Sequence, residues 1–115
     1  MTPLDCAVIQ LCSTPDVKQN LADADQYVGE AARAGARFVA LPENAAVLRT
    51  EPTMPAPTQS LGGSIVEAFR KMASDHGVWL LVGSFPEARE EDHRYYNTSV
   101  VIDGTRPDAP ITSTY

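Results

Sequence analysis

The sequence predicts an α/β fold with the element order β-α-β-α-β-β-β. Three observations predict it. Short apolar runs at residues 4–11, 37–41 and 78–83 are each bounded by turn-forming residues, as strands are. Two stretches between them carry apolar residues at helical spacing. Both end at a glycine, Gly35 and Gly77, where a left-handed residue commonly closes a helix. Strands alternating with helices imply parallel pairing of the first three strands through right-handed crossovers.

The elements follow in order. Leu-Asp-Cys-Ala-Val-Ile-Gln-Leu at residues 4–11 reads as the first strand. It breaks at Ser13-Thr14-Pro15-Asp16, which reads as a helix start with a hydroxyl at the cap, proline at the first helical position and an acid in the first turn. The helix is expected to run to about Ala34, with Leu21, Ala24, Val28 and Ala31 inward. Residues 37–41 form a short continuous apolar strand of the kind buried on both faces. It ends at Pro42-Glu43-Asn44. Residues 45–61 hold Pro52, Pro55 and Pro57 and cannot be regular helix. Loops this long usually serve a function or move. Gly62-Gly63 opens a second helix that turns Ile65, Phe69, Met72 and Ala73 inward. Residues 78–83 are the third strand, 86–93 a charged connection and 95–102 the fourth strand. Asp103-Gly104 turns the chain into a fifth strand at 111–115. The last two strands read as antiparallel additions to the sheet.

Composition narrows the function. The chain has 115 residues, of which 43% are hydrophobic and 21% charged, an ordinary globular mixture. Lys and Arg number 9 against 15 Asp and Glu, a net charge of −6. That balance argues against nucleic acid and against an anionic membrane surface as partners. No apolar run approaches the ~20 residues of a membrane span. The N-terminus lacks the basic region of a signal peptide, so a cytoplasmic location is expected. Cys6 and Cys12 fall on the same face of one strand, ~20 Å apart, too far to pair. They read as reduced.

Ligands of open α/β sheets sit beyond the carboxyl ends of the strands. Cys12 and Ser13 end the first strand, and Glu43 and Asn44 end the second. Glu43 follows a buried strand and a proline, so rigid backbone holds it. Partial burial would raise its pKa and suit it to general-base work. The alternative is an acid that only caps the next turn. Cys12 has the residue type of a nucleophile but no histidine near it in sequence, and reads as a small buried apolar residue, as does Cys6. His76 ends a helix, where a cation suits the dipole, and His93 lies in a charged connection. Lys18 and Lys71 sit on helices and are poor partners for Glu43. Glu90-Glu91-Asp92 reads as a solvated loop. No set of residues has metal-ligand spacing, and neither metal nor cofactor is expected.

Taken together, these segments resemble a known family. Residues 7–11, Ser13-Thr14-Pro15-Asp16 and Asn20-Leu21 look like the start of a nitrilase-superfamily (carbon–nitrogen hydrolase) domain. Gly35-Ala36, Leu41-Pro42-Glu43, Leu61-Gly62-Gly63, Gly77-Val78-Trp79-Leu80, Gly83-Ser84 and Tyr96-Asn97-Thr98-Ser99 continue the pattern in order. Each piece is weak alone; their shared order and spacing carry the match, which spans essentially the whole chain. The nearest branch is the Nit-like amidases, such as deaminated glutathione amidase and ω-amidase. The resemblance implies the N-terminal part of an α-β-β-α sandwich. It implies hydrolysis of a non-peptide C–N bond in a small-molecule amide or nitrile, through a cysteine thioester and a Glu-Lys-Cys set. The family glutamate falls on Glu43, as general base. The lysine and the nucleophilic cysteine belong to later motifs, so residues 1–115 are expected to be a truncated domain, inactive alone. Neither Cys6 nor Cys12 matches the nucleophile. Tyr96-Asn97 is expected to tie neighbouring backbone, Gly83 to permit close packing near the site, and the proline-rich segment to border the pocket. A homo-oligomer is expected of the intact protein. A non-catalytic nitrilase-like binding module that pairs with another chain is the alternative. A flavodoxin-like ligand-binding domain ranks last, for want of a phosphate loop.

Overall fold

A computed structural model describes residues 1–55 and 58–114 of the chain. Its elements are β1 (Cys6–Val8), α1 (Val17–Arg33), β2 (Phe38–Ala40), α2 (Ser64–His76), β3 (Trp79–Ala88), β4 (Tyr95–Asp103) and β5 (Thr112–Thr114). The order is the one the sequence predicts. All five strands join one sheet in chain order. β1–β2 and β2–β3 pair in parallel, and β3–β4 and β4–β5 antiparallel.

Helix α1 starts two residues later than expected. Asp16 is its cap, with a side-chain oxygen accepting from the Gln19 N–H at 3.1 Å. Pro15 precedes the cap, and the Thr14 hydroxyl accepts from the Asp16 N–H. The helix ends as expected, with Gly35 at φ 102° just beyond it. Ala24 and Val28 are fully buried, Leu21 and Ala31 half-buried, and the inward face also includes Asn20 and Gly29. Helix α2 turns the four predicted residues inward, with Val66. Its cap position, Gly63, has no side chain, so Gln59 Oε1 accepts from the Ile65 N–H at 2.8 Å instead.

Matched register positions show which side of the sheet is packed. Val39 lies opposite Leu80, Leu80 opposite Ile102 and Val82 opposite Val100, and all five are buried. Ala24 and Val28 of α1 and Ile65, Phe69 and Met72 of α2 join them in one core. The alternate residues face the other way. Val8 is 88% and Trp79 39% exposed, while Phe38, Ala40, Leu81 and Val101 are half-buried. Both helices cover one face, and the apolar second face carries no helix among the described residues. This corrects the expectation that β2 is buried on both sides. It also corrects both cysteines, which are free and exposed rather than buried. Cys6 pairs with Phe38 on the uncovered face, and Cys12 lies beyond the end of β1.

Two strand lengths differ from expectation. β1 is shorter because it pairs only with the three residues of β2, although the Ile9 N–H still donates to Ala40 O. β3 is longer and absorbs Pro86, Glu87 and Ala88 from the predicted connection. It stays paired with β4 through a bulge between Val82 and Phe85. The charged loop is therefore 89–94, where Arg89 and Arg94 pair with Glu91 and Asp92, and His93 is exposed. No helix occurs among the described residues of 45–61, and Pro57 lies outside them. Tyr115 also lies outside them, so β5 is described over Thr112–Thr114.

At the 103–104 turn, Asp103 is 7% exposed. Its carboxylate accepts from the Thr105 hydroxyl at 2.6 Å, the Thr105 N–H at 3.0 Å and Arg106 Nε at 2.7 Å. The Thr105 hydroxyl, with Arg106, holds its pKa below the ordinary aspartate value against the upward push of burial. His76, at the end of α2, lies 2.9 Å from Asp25 of α1 and ties the two helices, as a structural histidine should.

Candidate active site

Glu43 sits where the strand-end argument places it. Pairing continues past β2, with the Leu41 N–H donating to Leu81 O at 2.8 Å. Glu43 then makes a parallel bridge to Ser84 of β3. The approach depends on Gly83. A Cβ there would lie 2.4 Å from Pro42 C, 2.5 Å from Pro42 O and 2.6 Å from Glu43 N. Only a residue without a side chain lets the Pro42–Glu43 peptide lie this close. Beside it the Ser84 hydroxyl is buried with no hydrogen-bond partner among the described residues.

The segment after Glu43 is fixed as well. Asn44 turns the chain at φ 55°, a conformation asparagine tolerates better than most residues. The next three residues, Ala45, Ala46 and Val47, are buried. Asn20 of α1 clamps this segment. Its Nδ2 donates to Ala46 O at 2.9 Å and Thr14 O at 2.7 Å. Its Oδ1 accepts from the Thr14 N–H at 2.9 Å and the Thr14 hydroxyl at 3.1 Å. The Leu48 N–H also donates to Thr14 O. Asn20 is 3% exposed, so every polar atom of its amide is used away from water. The backbone on both sides of Glu43 is thus tied to the sheet and to α1.

The Glu43 side chain is exposed, which corrects the expected partial burial. It lines a cavity of about 680 Å³, within the size range of small-molecule sites. The other walls are Asn44, Val47, Leu48, Arg49, Thr50, Glu51 and Pro52 after β2, Pro86 of β3, and Tyr95 and Asn97 of β4. The proline-rich segment borders the pocket as expected, through Pro52. Arg49 Nη1 donates to Met54 O at 2.9 Å, and Nη2 donates to the Tyr95 hydroxyl at 3.3 Å.

Other candidates fall elsewhere. No cysteine or lysine lines this cavity among the described residues. Lys71 pairs with Asp75 on the surface of α2. Asn97 does not have the backbone-tying role expected of it; it is exposed and forms cavity wall. The cross-strand ties nearby come from Thr98, whose hydroxyl donates to Glu87 at 2.6 Å, and from Ser99, which donates to Val82 O. Among the described residues no group of three or more His, Cys, Asp or Glu could hold a metal ion. No helix is long and apolar enough to cross a membrane. Sequence reasoning quoted Asn20 only within the family resemblance, gave it no role, and did not single out Arg49. Asn20 had a signal, a polar residue in line with Ala24 and Val28 on the inward face of a helix. Arg49 had none, because only the fold brings the Tyr95 hydroxyl to its guanidinium.

The five-stranded sheet with both helices on one face, and a glutamate lining a cavity at a strand end, define an α/β scaffold, and comparison with known proteins identifies its family. The sequence pattern of the carbon–nitrogen hydrolases matches residues 6–112. Human deaminated glutathione amidase is 35% identical over 100 residues, which cover 84% of this chain and 31% of that protein. An omega-amidase of Xenopus laevis is 32% identical over 107 residues, covering 91% of this chain and 38% of that one. The crystal structure of Saccharomyces cerevisiae Nit3, a nitrilase-superfamily member, superposes with a TM-score of 0.76 at 21% identity, over 96% of this chain and 43% of that chain. An amidase from Nesterenkonia sp., in which acrylamide has added to the active-site cysteine, superposes at 0.74 with 21% identity, over 89% and 40%. The chain belongs to the carbon–nitrogen hydrolase family and has the nitrilase fold. It spans about a third of the length of the curated relatives it matches.

Proposed function

We propose that residues 1–115 are the N-terminal portion of a Nit-like amidase domain and that Glu43 is its general base. The observation that carries this reading is the placement of Glu43. Its backbone is pinned to Gly83 and Ser84, and its carboxylate opens on a cavity large enough for a small amide. The names of the relatives, deaminated glutathione amidase and omega-amidase, point to amides of small acids as the substrate class.

The proposed reaction uses a cysteine and a lysine supplied by the rest of the domain. Glu43 takes the thiol proton as sulfur attacks the amide carbonyl. The lysine stabilises the oxyanion that develops. Collapse of the tetrahedral adduct breaks the C–N bond, Glu43 returns its proton to the departing amine, and a thioester remains. Glu43 then takes a proton from water as the water attacks the thioester; the C–S bond breaks, the acid leaves, and Glu43 passes that proton to the departing sulfur, which restores the thiol and the carboxylate. One general base cannot run this sequence alone, because members of a catalytic set fail as a unit. The isolated 115-residue chain is accordingly inactive. The uncovered apolar face of the sheet supports the same reading, since a sandwich completed by further chain would bury it.

The test uses the protein made from the full reading frame that contains this chain. Ammonia release from glutaramate is followed while thiols are titrated with iodoacetamide. Loss of turnover in step with alkylation of one thiol is expected. Turnover that survives complete alkylation rules out the thioester.

A further inference from the structure

We infer that Ser84 is a positioning residue for Glu43: once further chain covers the site, the Ser84 hydroxyl donates to the Glu43 carboxylate and holds it in its ionised form. The inference rests on the general-base reading of Glu43.

Pairing places the two side chains together. The bridge between Glu43 and Ser84 continues the register in which Val39 pairs with Leu80. Residues matched in register carry their side chains on the same face, about 5 Å apart. The Glu43 carboxylate stands two carbons beyond its Cβ, so a change of side-chain rotamer can bring an oxygen to the Ser84 hydroxyl. The backbone of the pair is fixed. Gly83 lets the Pro42–Glu43 peptide approach, and Asn20 ties the segment that follows through Ala46 O.

Each group lacks what the other supplies. Ser84 is 5% exposed, and its hydroxyl has no hydrogen-bond partner among the described residues. The Thr98 and Ser99 hydroxyls of the neighbouring strand are both used, by Glu87 and by Val82 O. An unpaired buried hydroxyl opposes folding, and alanine would fill the same place without that cost. Glu43 has the complementary lack, because its exposed carboxylate accepts no hydrogen bond among the described residues. Tyr95 and Asn97, which line the Glu43 cavity, stand in line with Val101 on the uncovered face of the sheet. Chain that covers this face therefore also closes on the cavity and takes water from the carboxylate. A charge removed from water needs hydrogen bonds in exchange, and Ser84 is a donor already in place. A hydroxyl donated to a carboxylate favours its charged form, which is the form that takes the thiol proton.

The test is Ser84→Ala in the full protein. Ammonia release from glutaramate is followed across pH, and unfolding is followed in urea. Stability should match or exceed that of wild type, because no hydrogen bond of the fold is lost. kcat should fall about tenfold or more, and the acid limb of its pH profile should move up by about one pH unit, because the unsupported carboxylate keeps its proton to higher pH. Ser84 does not line the cavity, so KM should be unchanged. Arg49, Glu51 and Tyr95 also face the cavity, but they are the same in both proteins, so the difference between the two profiles belongs to Glu43. Ser84→Cys should move the limb less, because a thiol is a weak donor of similar size. A Ser84→Ala protein with the kcat and acid limb of wild type would overturn the inference and leave the amidase reading standing. So would one that loses stability and turnover while the acid limb stays in place, since the hydroxyl would then serve only the fold. A wild type with no amidase turnover would remove both.

Discussion

Gly83→Ala tests how closely the fold must hold Glu43. The added Cβ would sit 2.4 Å from Pro42 C and 2.6 Å from Glu43 N. Carbon atoms pack at about 3.5 Å, so the Pro42–Glu43 peptide must retreat by roughly 1 Å. Both atoms it meets are backbone, and no side chain can swing aside. The neighbouring bond from the Leu41 N–H to Leu81 O is 2.8 Å long and does not survive a displacement of that size. Overpacking costs about 1–3 kcal/mol and the lost hydrogen bond about 1 kcal/mol, which gives roughly 2–4 kcal/mol in stability. The retreat also carries Glu43 about 1 Å from its working position, worth roughly a hundredfold in rate. Urea unfolding reads the first effect, and kcat/KM for amide hydrolysis by the full protein reads the second. Gly62→Ala is the control, because a Cβ there meets only Ser60 Oγ, at 3.9 Å. A Gly83→Ala protein within about 0.5 kcal/mol and twofold of wild type would refute the argument that this contact sets the position of Glu43.

Three further predictions follow from the same structure. Asn20→Ala strands the buried Ala46 carbonyl and frees Thr14, and should cost about 2–4 kcal/mol by urea titration; a loss under about 1 kcal/mol would show that the clamp is not needed. Asp103 has its pKa lowered by folding, so its contribution is complete above the unfolded value of about 3.9 and is lost as pH falls below that toward the folded value. Asp103→Asn should therefore flatten the acid limb of the stability–pH curve, and parallel limbs for the two proteins would contradict the assignment. The 115-residue chain on its own should self-associate through the face that bears Val8 and Trp79, and Val8→Lys with Trp79→Lys should weaken this in sedimentation velocity; a monomeric wild-type chain that unfolds cooperatively would show that the face needs no cover.

Much of this arrangement was legible in the sequence, and the reasons differ by element. The two helices were readable because their glycine stops and apolar spacing are local signals. The parallel direction of the first three strands followed from alternation of strands with crossovers, which needs no register. Strand lengths were less accessible. β3 runs through Pro86 because pairing with β4 extends past the end of β2, and only the fold shows that partner. The cysteines were misjudged because apolar neighbours suggest burial, whereas the second face of this sheet is uncovered. Glu43 was singled out by its position at a strand end behind a proline, and its proposed role came from the resemblance carried by Leu41-Pro42-Glu43. Its surroundings were not, since Asn20, Arg49, and Tyr95 with Asn97 come from three separate stretches of chain that only the folded topology brings together.

The central claim is that Glu43 moves the proton in amide hydrolysis. It is tested most directly by ammonia release from glutaramate, measured for the full protein and for its Glu43→Gln variant, with unfolding curves run alongside. The Glu43 side chain is exposed and makes no hydrogen bond among the described residues that a glutamine would break, so the two proteins should unfold alike. Loss of a general base that serves both halves of the reaction should lower turnover by a factor of about 10²–10⁴. A Glu43→Gln protein that folds like wild type and keeps its turnover would contradict the account.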